Sequence, residues 1–248
     1  MDKTRVQKII ADSGYCSRRK AEIYVKAGQV RVNGRPVKIG DKADPLKDAI
    51  TVNGEKLTLG NKPRYIKLYK PRGYICSLFD PRGKKPVVEL LGGVRERVYP
   101  AGRLDVNSEG LIFLTNDGFF SQHITHPKNK IKKTYRVTVS GEVTEETAAF
   151  LAAGVELGGD GKTRPCDVGI IVSGAERSVL RITVSEGKNR QIRRMCDAAG
   201  LPVSRLKRVS VGGVRLGMLK PGEYADLTAD ELKLLGYGGA NKKTPRHL

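Results

Sequence analysis

The sequence predicts an α+β protein with two domains: a small one over residues 1–60, and a larger one over residues 61–237 with a mixed, mostly antiparallel β-sheet. The first domain shows two short helical patterns and then two strand–turn–strand patterns. Beyond it, short β-branched and aromatic segments dominate, without a repeating βαβ unit. The polar residues 60–64 indicate a linker. Residues 238–248, rich in glycine and lysine, are predicted to form a flexible basic tail.

Local signals define the elements of the first domain. Helices are expected over residues 4–13 and 18–27, and Ser17 is the predicted N-cap of the second helix. Asn33-Gly34 and Asn53-Gly54 each follow a short alternating segment, which is a strong hairpin signal. The apolar side chains expected to face the core of this domain are Val6, Ile9, Ile10, Ala21, Tyr24 and Val25.

The larger domain is predicted to be mostly strand. The clearest strand patterns cover residues 65–69, 111–115, 134–140 and 179–184. Helical patterns interrupt them over residues 142–153 and 191–199. Strands and helices mix without a βαβ repeat, so an α+β fold with a mostly antiparallel sheet is favoured over a doubly wound one. There is no tandem repeat.

The charge balance limits the function. Lysine and arginine number 46 against 26 aspartate and glutamate residues, a formal net charge of +20. A chain this basic is typical of proteins that bind a polyanion, most often nucleic acid, although solubility alone is the alternative. No segment is apolar enough to span a membrane, and the N-terminus does not resemble a signal peptide. The four cysteines are widely spaced, so we expect a reducing cytoplasm and neither disulfides nor a zinc site.

A basic cluster opens the second predicted helix. Arg18, Arg19 and Lys20 lie at its start, and Arg31 lies on the strand that follows. A helix start offers backbone N–H groups and a positive dipole end, and arginine adds paired donors for phosphate. The segments 14–21 and 28–34 resemble the alpha-L RNA-binding module named after ribosomal small-subunit protein S4. The alternative is an unrelated, solvated helix face.

Residues 102–110 form the first candidate for chemistry. This glycine-flanked loop contains Arg103 and Asp105 and lies between two apolar strands. Polar residues on a loop braced by buried strands are typical of an active site. Leu104 can anchor the backbone while the carboxylate of Asp105 faces a cleft. The alternative is a surface turn in which Asp105 is a capping residue.

Two further basic segments are candidates for RNA contact. Strand alternation places Tyr135 on an inward face next to Lys133, either as a core residue or as a platform on which a base stacks. The helix over residues 191–199 opens among cations, which oppose its dipole and cost stability unless an anion binds there. The cations in this region are Lys188, Arg190, Arg193, Arg194 and, further on, Arg208. His123 and His126, three residues apart, are interpreted as structural rather than metal-binding.

Three motifs, in this order, resemble the RsuA/RluB/RluE/RluF family of rRNA pseudouridine synthases. They are Gly-Arg-Leu-Asp at 102–105, Lys-Thr-Tyr-Arg-Val at 133–137 and Arg-Gln-Ile-Arg-Arg-Met at 190–195. Segments 69–73 and 114–118 match as well, and the stretch 69–105 is most similar to the large-subunit branch, pseudouridine synthase B. The similarity covers roughly residues 3–235. Val106 departs from the pattern, since an aromatic residue is expected there, which bears on target choice rather than chemistry.

The resemblance implies a pseudouridine synthase catalytic domain without cofactor or metal. It implies that Asp105 is the essential carboxylate, as a nucleophile at C1′ or by assisting uracil loss through a glycal-like intermediate. Arg193 is the implied salt-bridge partner of Asp105, and Tyr135 the platform under the uracil. Leu206 is expected to line the pocket, and Arg103 to fill the place of a flipped-out uridine.

The resemblance implies ribosomal RNA as the partner, that of the large subunit (23S), bound by a monomeric protein. Three other classes of protein share some of these features. A non-catalytic RNA-binding factor is expected to lack the loop carboxylate, and a DNA-binding regulator to show a recognition helix and a dimerising element. A metal-dependent nuclease needs several clustered carboxylates, and only residues 105–109 come close.

Overall fold

A computed structural model describes residues 3–238 of the chain. The predicted tail over residues 238–248 lies outside the described residues except for Gly238. Within residues 3–238, no helix combines the length and apolar character that a membrane span requires.

The N-terminal domain has the predicted helices and hairpins. Helices α1 (Val6–Asp12) and α2 (Arg18–Lys26) pack against short strands. The side chain of Ser17 caps α2 by accepting from the Lys20 N–H at 3.2 Å, as predicted. Both Asn-Gly turns have positive φ at both residues, the geometry of tight hairpin turns. The strands are β1 (Thr4–Arg5), β2 (Val30–Val32), β3 (Arg35–Pro36), β4 (Lys42–Ala43), β5 (Ile50–Val52) and β6 (Glu55–Lys56).

The larger domain is built on one nine-stranded sheet. Its strands are β7 (Tyr65–Lys70), β8 (Tyr99–Ala101), β9 (Glu109–Thr115), β10 (Lys133–Ser140), β11 (Asp167–Val172), β12 (Arg177–Val184), β13 (Val203–Val211), β14 (Val214–Arg215) and β15 (Tyr224–Asp226). The order is β11-β12-β10-β13-β9-β7-β15, with β14 beside β13 and β8 beside β9. Only the β13–β9 pairing is parallel, so the predicted mixed, mostly antiparallel sheet is confirmed.

Four helices complete this domain: α3 (Gly118–Thr125), α4 (Glu145–Ala152), α5 (Gln191–Ala198) and α6 (Ala229–Leu234). The predicted helices correspond to α4 and α5. The sequence reading missed α3, in which Asp117 accepts from two backbone N–H groups as the N-cap. It also missed β13, because the cations at positions 205, 207 and 208 obscure its period-2 pattern.

Strand β9 positions the candidate site. It pairs with β7 along one edge, and β8 and β13 share the other edge. The loop 102–108 leaves β8 and enters β9 at this point. Gly110 is required here, because its φ is +108° and a Cβ would lie 2.2 Å from the Arg208 carbonyl oxygen.

The two faces of the sheet differ in character. One face of β10, β12 and β13 packs against α4 and α5 around Val137, Leu180 and Leu206. The opposite face of these strands carries mainly threonine, serine and basic side chains. The N-terminal domain touches the larger one where Lys8 Nζ lies 4.8 Å from the ring centroid of Phe119.

Candidate active site

A cavity of about 580 Å³ opens beside the loop 102–108. Of the site residues predicted from the sequence, it is lined by Arg103, Asp105, Lys133, Tyr135, Lys188, Arg190, Leu206 and Arg208. The predicted carboxylate and the predicted base platform therefore face the same space. Asp105 and Tyr135 are both half-buried, whereas Leu206 is buried in the wall.

Residues that follow β7 hold the first half of the Asp105 loop. The Sγ atom of Cys76 accepts from the backbone N–H of Leu104 at 3.2 Å and donates to its carbonyl oxygen at 3.3 Å. The N–H of Gly73 donates to the carbonyl of Val106 at 2.8 Å. Leu104 itself is buried in the core, as predicted. The backbone on both sides of Asp105 is thus fixed.

Two cations hold the second half of the loop. Lys70 Nζ donates to the carbonyl of Ser108 at 2.7 Å, and Arg193 Nη2 donates to that of Asn107 at 3.1 Å. The loop is therefore held at residues 104, 106, 107 and 108 by separate parts of the chain. This arrangement preorganises the Asp105 carboxylate, which a catalytic group needs.

The expected salt bridge between Asp105 and Arg193 is not formed. Arg193 instead donates to the carbonyls of Val203 and Asn107, and its Nε is buried without a partner in the described part of the chain. Burial lowers the pKa of Arg193 and the charge of Arg190 lowers it further, while the charge of Asp105 acts in the opposite direction. The arginine lies near Asp105 and supports its loop through backbone carbonyls rather than through the carboxylate.

Lys70 is a functional candidate that sequence reasoning missed. Its side chain is completely buried and also donates to the carbonyl of Pro71 at 3.0 Å. Burial lowers the pKa of Lys70 to about 8, against the opposing charges of Cys76 and Asp105. The motif 69–73 was recognised in the sequence, but alternation cannot show that a lysine points inward. Cys76 was missed too, and burial raises the pKa of its thiol.

The cavity wall formed by β10 and β13 is basic. Arg208 is only 4% exposed and donates to the carbonyl of Leu111 at 2.7 Å. It lies directly across from Tyr135 in the β10–β13 register. Burial lowers the pKa of Lys133, and the charge of Arg208 lowers it further. None of the ion pairs among residues 3–238 includes Arg208 or Lys133. Both donate to backbone carbonyls, Lys133 Nζ to Ile131 at 3.1 Å and Arg208 also to Arg103 at 3.4 Å, so their charges face the cavity without a carboxylate partner.

The cations at the start of α5 have partners within the fold, namely backbone carbonyls and one carboxylate. Lys188 Nζ donates to the carbonyls of Asp160, Gly161 and Lys162 at 2.6, 3.0 and 2.8 Å. Arg194 pairs with the Asp160 carboxylate and donates to the Leu157 carbonyl. These bonds attach the loop 157–162 to the start of α5. The sequence could not show that Lys188 and Arg194 stabilise the fold in this way.

Arg190 and the N-terminal cations are differently placed. Arg190 precedes α5 with a left-handed backbone, φ 47°, and its exposed side chain lines the cavity mouth. Positive φ at a non-glycine residue is strained and is often associated with function. In the N-terminal domain, Arg18, Arg19, Lys20 and Arg31 are all exposed.

The side chains of His123 and His126 both have hydrogen-bond partners within the fold, and His126 also lines the cavity. His123 Nε2 lies 2.7 Å from the carbonyl oxygen of Leu235, and His126 Nδ1 accepts from the Lys128 N–H at 3.2 Å. Residues 3–238 contain no group of three or more histidine, cysteine or carboxylate side chains that could hold a metal ion.

Known protein families match both the N-terminal domain and the larger domain. Residues 64–198 match the RNA pseudouridylate synthase family, and residues 4–45 match the S4 domain. Ribosomal large subunit pseudouridine synthase B of Bacillus subtilis is 41% identical over 234 residues, covering 93% of this chain and 95% of that protein. Dual-specificity RNA pseudouridine synthase RluF of Escherichia coli is 39% identical, covering 92% and 77% respectively.

A solved structure agrees with the fold. A crystal structure described as pseudouridylate synthase superposes with a TM-score of 0.68 at 34% identity, covering 93% of this chain and 99% of that one. An uncharacterized RNA pseudouridine synthase of Aquifex aeolicus is 39% identical over 248 residues, covering 99% of both chains. The family resemblance drawn from the motifs is thereby confirmed. The chain belongs to the RNA pseudouridine synthases in which an S4 domain precedes the catalytic domain.

Proposed function

We propose that this enzyme isomerises a uridine of ribosomal RNA, in the large-subunit 23S RNA, in the cytoplasm and as a monomer. The observation that carries the proposal is that the Asp105 carboxylate faces a basic cavity. The loop that carries Asp105 is fixed by hydrogen bonds to its backbone at residues 104, 106, 107 and 108. The names of two relatives support an RNA target, and that of the Bacillus subtilis relative specifies the large ribosomal subunit.

The reaction is an internal rearrangement of one nucleotide. The N1–C1′ bond of uridine breaks, the uracil rotates, and a C5–C1′ bond forms while the proton on C5 is lost and N1 gains one. Nothing is oxidised and no group leaves, so the side chains of this site can account for the chemistry. Asp105 acts at C1′, either as the nucleophile or by assisting uracil loss.

The other cavity residues bind and orient the nucleoside. Tyr135 is assigned as the surface on which the uracil stacks, and Leu206 as the apolar wall beside it. Arg208 and Lys133 supply positive charge for the nucleotide's phosphates. A stacked uridine cannot reach Asp105, so the nucleotide must flip out, at a cost of a few kcal/mol that RNA contacts elsewhere offset.

Two arginines have supporting roles in the proposal. Arg103, exposed at the cavity rim, takes the place that the flipped nucleotide leaves. Arg193 positions the Asp105 loop, and its buried, unpartnered Nε–H is the donor that we assign to Asp105 when RNA is bound. Arg18, Arg19, Lys20 and Arg31 contact phosphates away from the chemistry, and Arg190 contacts them at the cavity mouth.

The test is Asp105→Asn, assayed by tritium release from C5-labelled uridine in 23S and 16S rRNA transcripts. Wild type is expected to release tritium from the 23S transcript only. The variant should lose roughly 10³-fold or more in rate while its RNA affinity changes only a few-fold. Asp197→Asn, an exposed carboxylate on α5, is the matched control and should keep wild-type turnover. Turnover near wild type in Asp105→Asn contradicts the assignment.

A further inference from the structure

Three cations stand side by side on three neighbouring strands. In the register of the sheet, Arg136 of β10 lies directly opposite Arg181 of β12 on one side and Lys207 of β13 on the other. Directly opposed residues have Cβ atoms about 5 Å apart. Because side chains alternate along a strand, this cation row lies on the face opposite Tyr135 and Leu206, away from the cavity.

The cation row has few internal partners. Arg136 is exposed and takes part in none of the side-chain hydrogen bonds or ion pairs found among residues 3–238. Arg181 approaches Asp167 at 3.5 Å, with both side chains more than half exposed. Lys207 Nζ lies 4.7 Å from the ring centroid of Tyr69. Most of the positive charge of the row therefore faces solvent.

Placing like charges directly across a sheet is destabilising. The same three strands show that the sheet does not need cations here. One step along the strands, the cross-strand row is Thr183, Thr134 and Ser210, and the two threonine hydroxyls lie 3.0 Å apart. The three opposed cations therefore cost stability without a structural benefit, and such an exception indicates a functional site.

The surroundings of the row are also basic. Arg205 lies near it on β13 and pairs with Glu109, while Arg72 donates to the carbonyl of Ser204 at 2.9 Å. Among residues 3–238, two carboxylates pair with these cations, Glu109 with Arg205 and Asp167 with Arg181. Five cations thus share the surface with two carboxylates, and the excess charge suits a polyanion rather than a single ion.

We propose that the cation row binds phosphates of a second segment of the substrate RNA, distinct from the segment that delivers the uridine. The row spans two strand spacings, roughly 10 Å, in a straight line, and arginine donates to phosphate with paired N–H groups. Because the row and the cavity lie on opposite faces of the same strands, one short segment cannot occupy both. The proposal rests on the proposed function and extends it to a folded substrate that wraps the sheet.

The direct test compares two variants that remove equal charge. The row variant is Arg136→Thr/Arg181→Thr/Lys207→Thr, and the control is Arg95→Gln/Lys220→Gln/Lys233→Gln, three exposed cations elsewhere in the larger domain. Affinity for a 23S rRNA transcript is measured by filter binding across a salt series. The row variant should lose about two in the slope of log affinity against log salt, since each phosphate contact contributes about 0.7–0.9. Equal slopes in both variants would overturn the proposal.

A stability measurement separates binding from folding. Arg136→Thr relieves repulsion on both sides, so its melting temperature should equal or exceed that of wild type while its RNA affinity falls several-fold. A lower melting temperature with unchanged affinity would show that Arg136 is structural and would overturn the proposal. Binding is read without turnover, so these results stand apart from the test of Asp105.

Discussion

Two helix starts in this protein look alike in sequence and are used in opposite ways. Helices α2 and α5 both open among cations directly after a turn. At α5, Lys188 and Arg194 donate to carbonyls and pair with Asp160, so their donors are consumed by the fold. At α2, the side chains of Arg18 and Arg19 are exposed, and the Arg18 guanidinium lies beside Gly118 at the start of α3. A basic helix start therefore indicates a ligand only where the fold offers no acceptors.

The difference lies in what covers each helix start. The loop 157–162 lies over α5 and presents its carbonyls to Lys188, and Asp160 is paired there as well. The start of α2 is satisfied locally, because the Ser17 side chain accepts from the backbone of Lys20. Among residues 3–238, no hydrogen bond or ion pair includes the side chain of Arg18 or Arg19, which leaves both for phosphate.

The largest effect is expected from removing the cations at the start of α2, which tests whether they bind RNA. Arg18→Gln/Arg19→Gln/Lys20→Gln should weaken 23S rRNA binding roughly 100-fold at 0.15 M salt, because three phosphate contacts are lost. The salt slope should fall by about two to three. Filter binding across a salt series measures both, with Arg95→Gln/Lys220→Gln/Lys233→Gln as the charge-matched control. Unfolding in urea should be unchanged, and an equal loss of affinity in the control would contradict a specific role for α2.

Sequence reasoning succeeded where the determinants are local. Ser17 accepts from the N–H of Lys20, three residues on, and Asn33-Gly34 joins two strands whose paired residues lie between positions 31 and 36. Both features depend on sequence neighbours only, so they could be predicted from the sequence. The support of the Asp105 loop could not be read in this way. Lys70 reaches Ser108, 38 residues away, and the Arg193 bond to Asn107 spans 86. Such bonds depend on the sheet order, which no local pattern specifies.

A smaller effect, on stability, is expected when Lys188 loses its bonds to the loop that covers the start of α5. Lys188→Met removes three donors to carbonyls and should lower the free energy of unfolding by about 2 kcal/mol. Arg19→Met, at the exposed start of α2, should change it by less than about 0.5 kcal/mol. Urea denaturation of the two variants against wild type is the measurement. If both lose equally little, the bonds of Lys188 to the loop 157–162 do not hold that loop in solution.

The smallest expected effect is on how the free energy of unfolding depends on pH, and it arises from Lys70, which supports the Asp105 loop. The pKa of Lys70 is lowered to about 8 in the folded state, while its ordinary value is 10.5. Between these values the unfolded chain binds more protons than the folded one, so stability should rise with pH through this window. The contribution is about 1 kcal/mol between pH 8 and pH 9, since one pKa unit corresponds to 1.36 kcal/mol.

Lys70→Met isolates this contribution, because the variant keeps every other titrating group. Its unfolding free energy, measured in urea at pH 7, 8 and 9, should rise less steeply with pH than that of wild type. The variant should also lose turnover, since the carbonyl of Ser108 loses its donor and the loop that carries Asp105 is released at one end. Identical pH slopes in the two proteins would mean that Lys70 titrates near its ordinary pKa and that the loop is held without a buried, partly neutral amine.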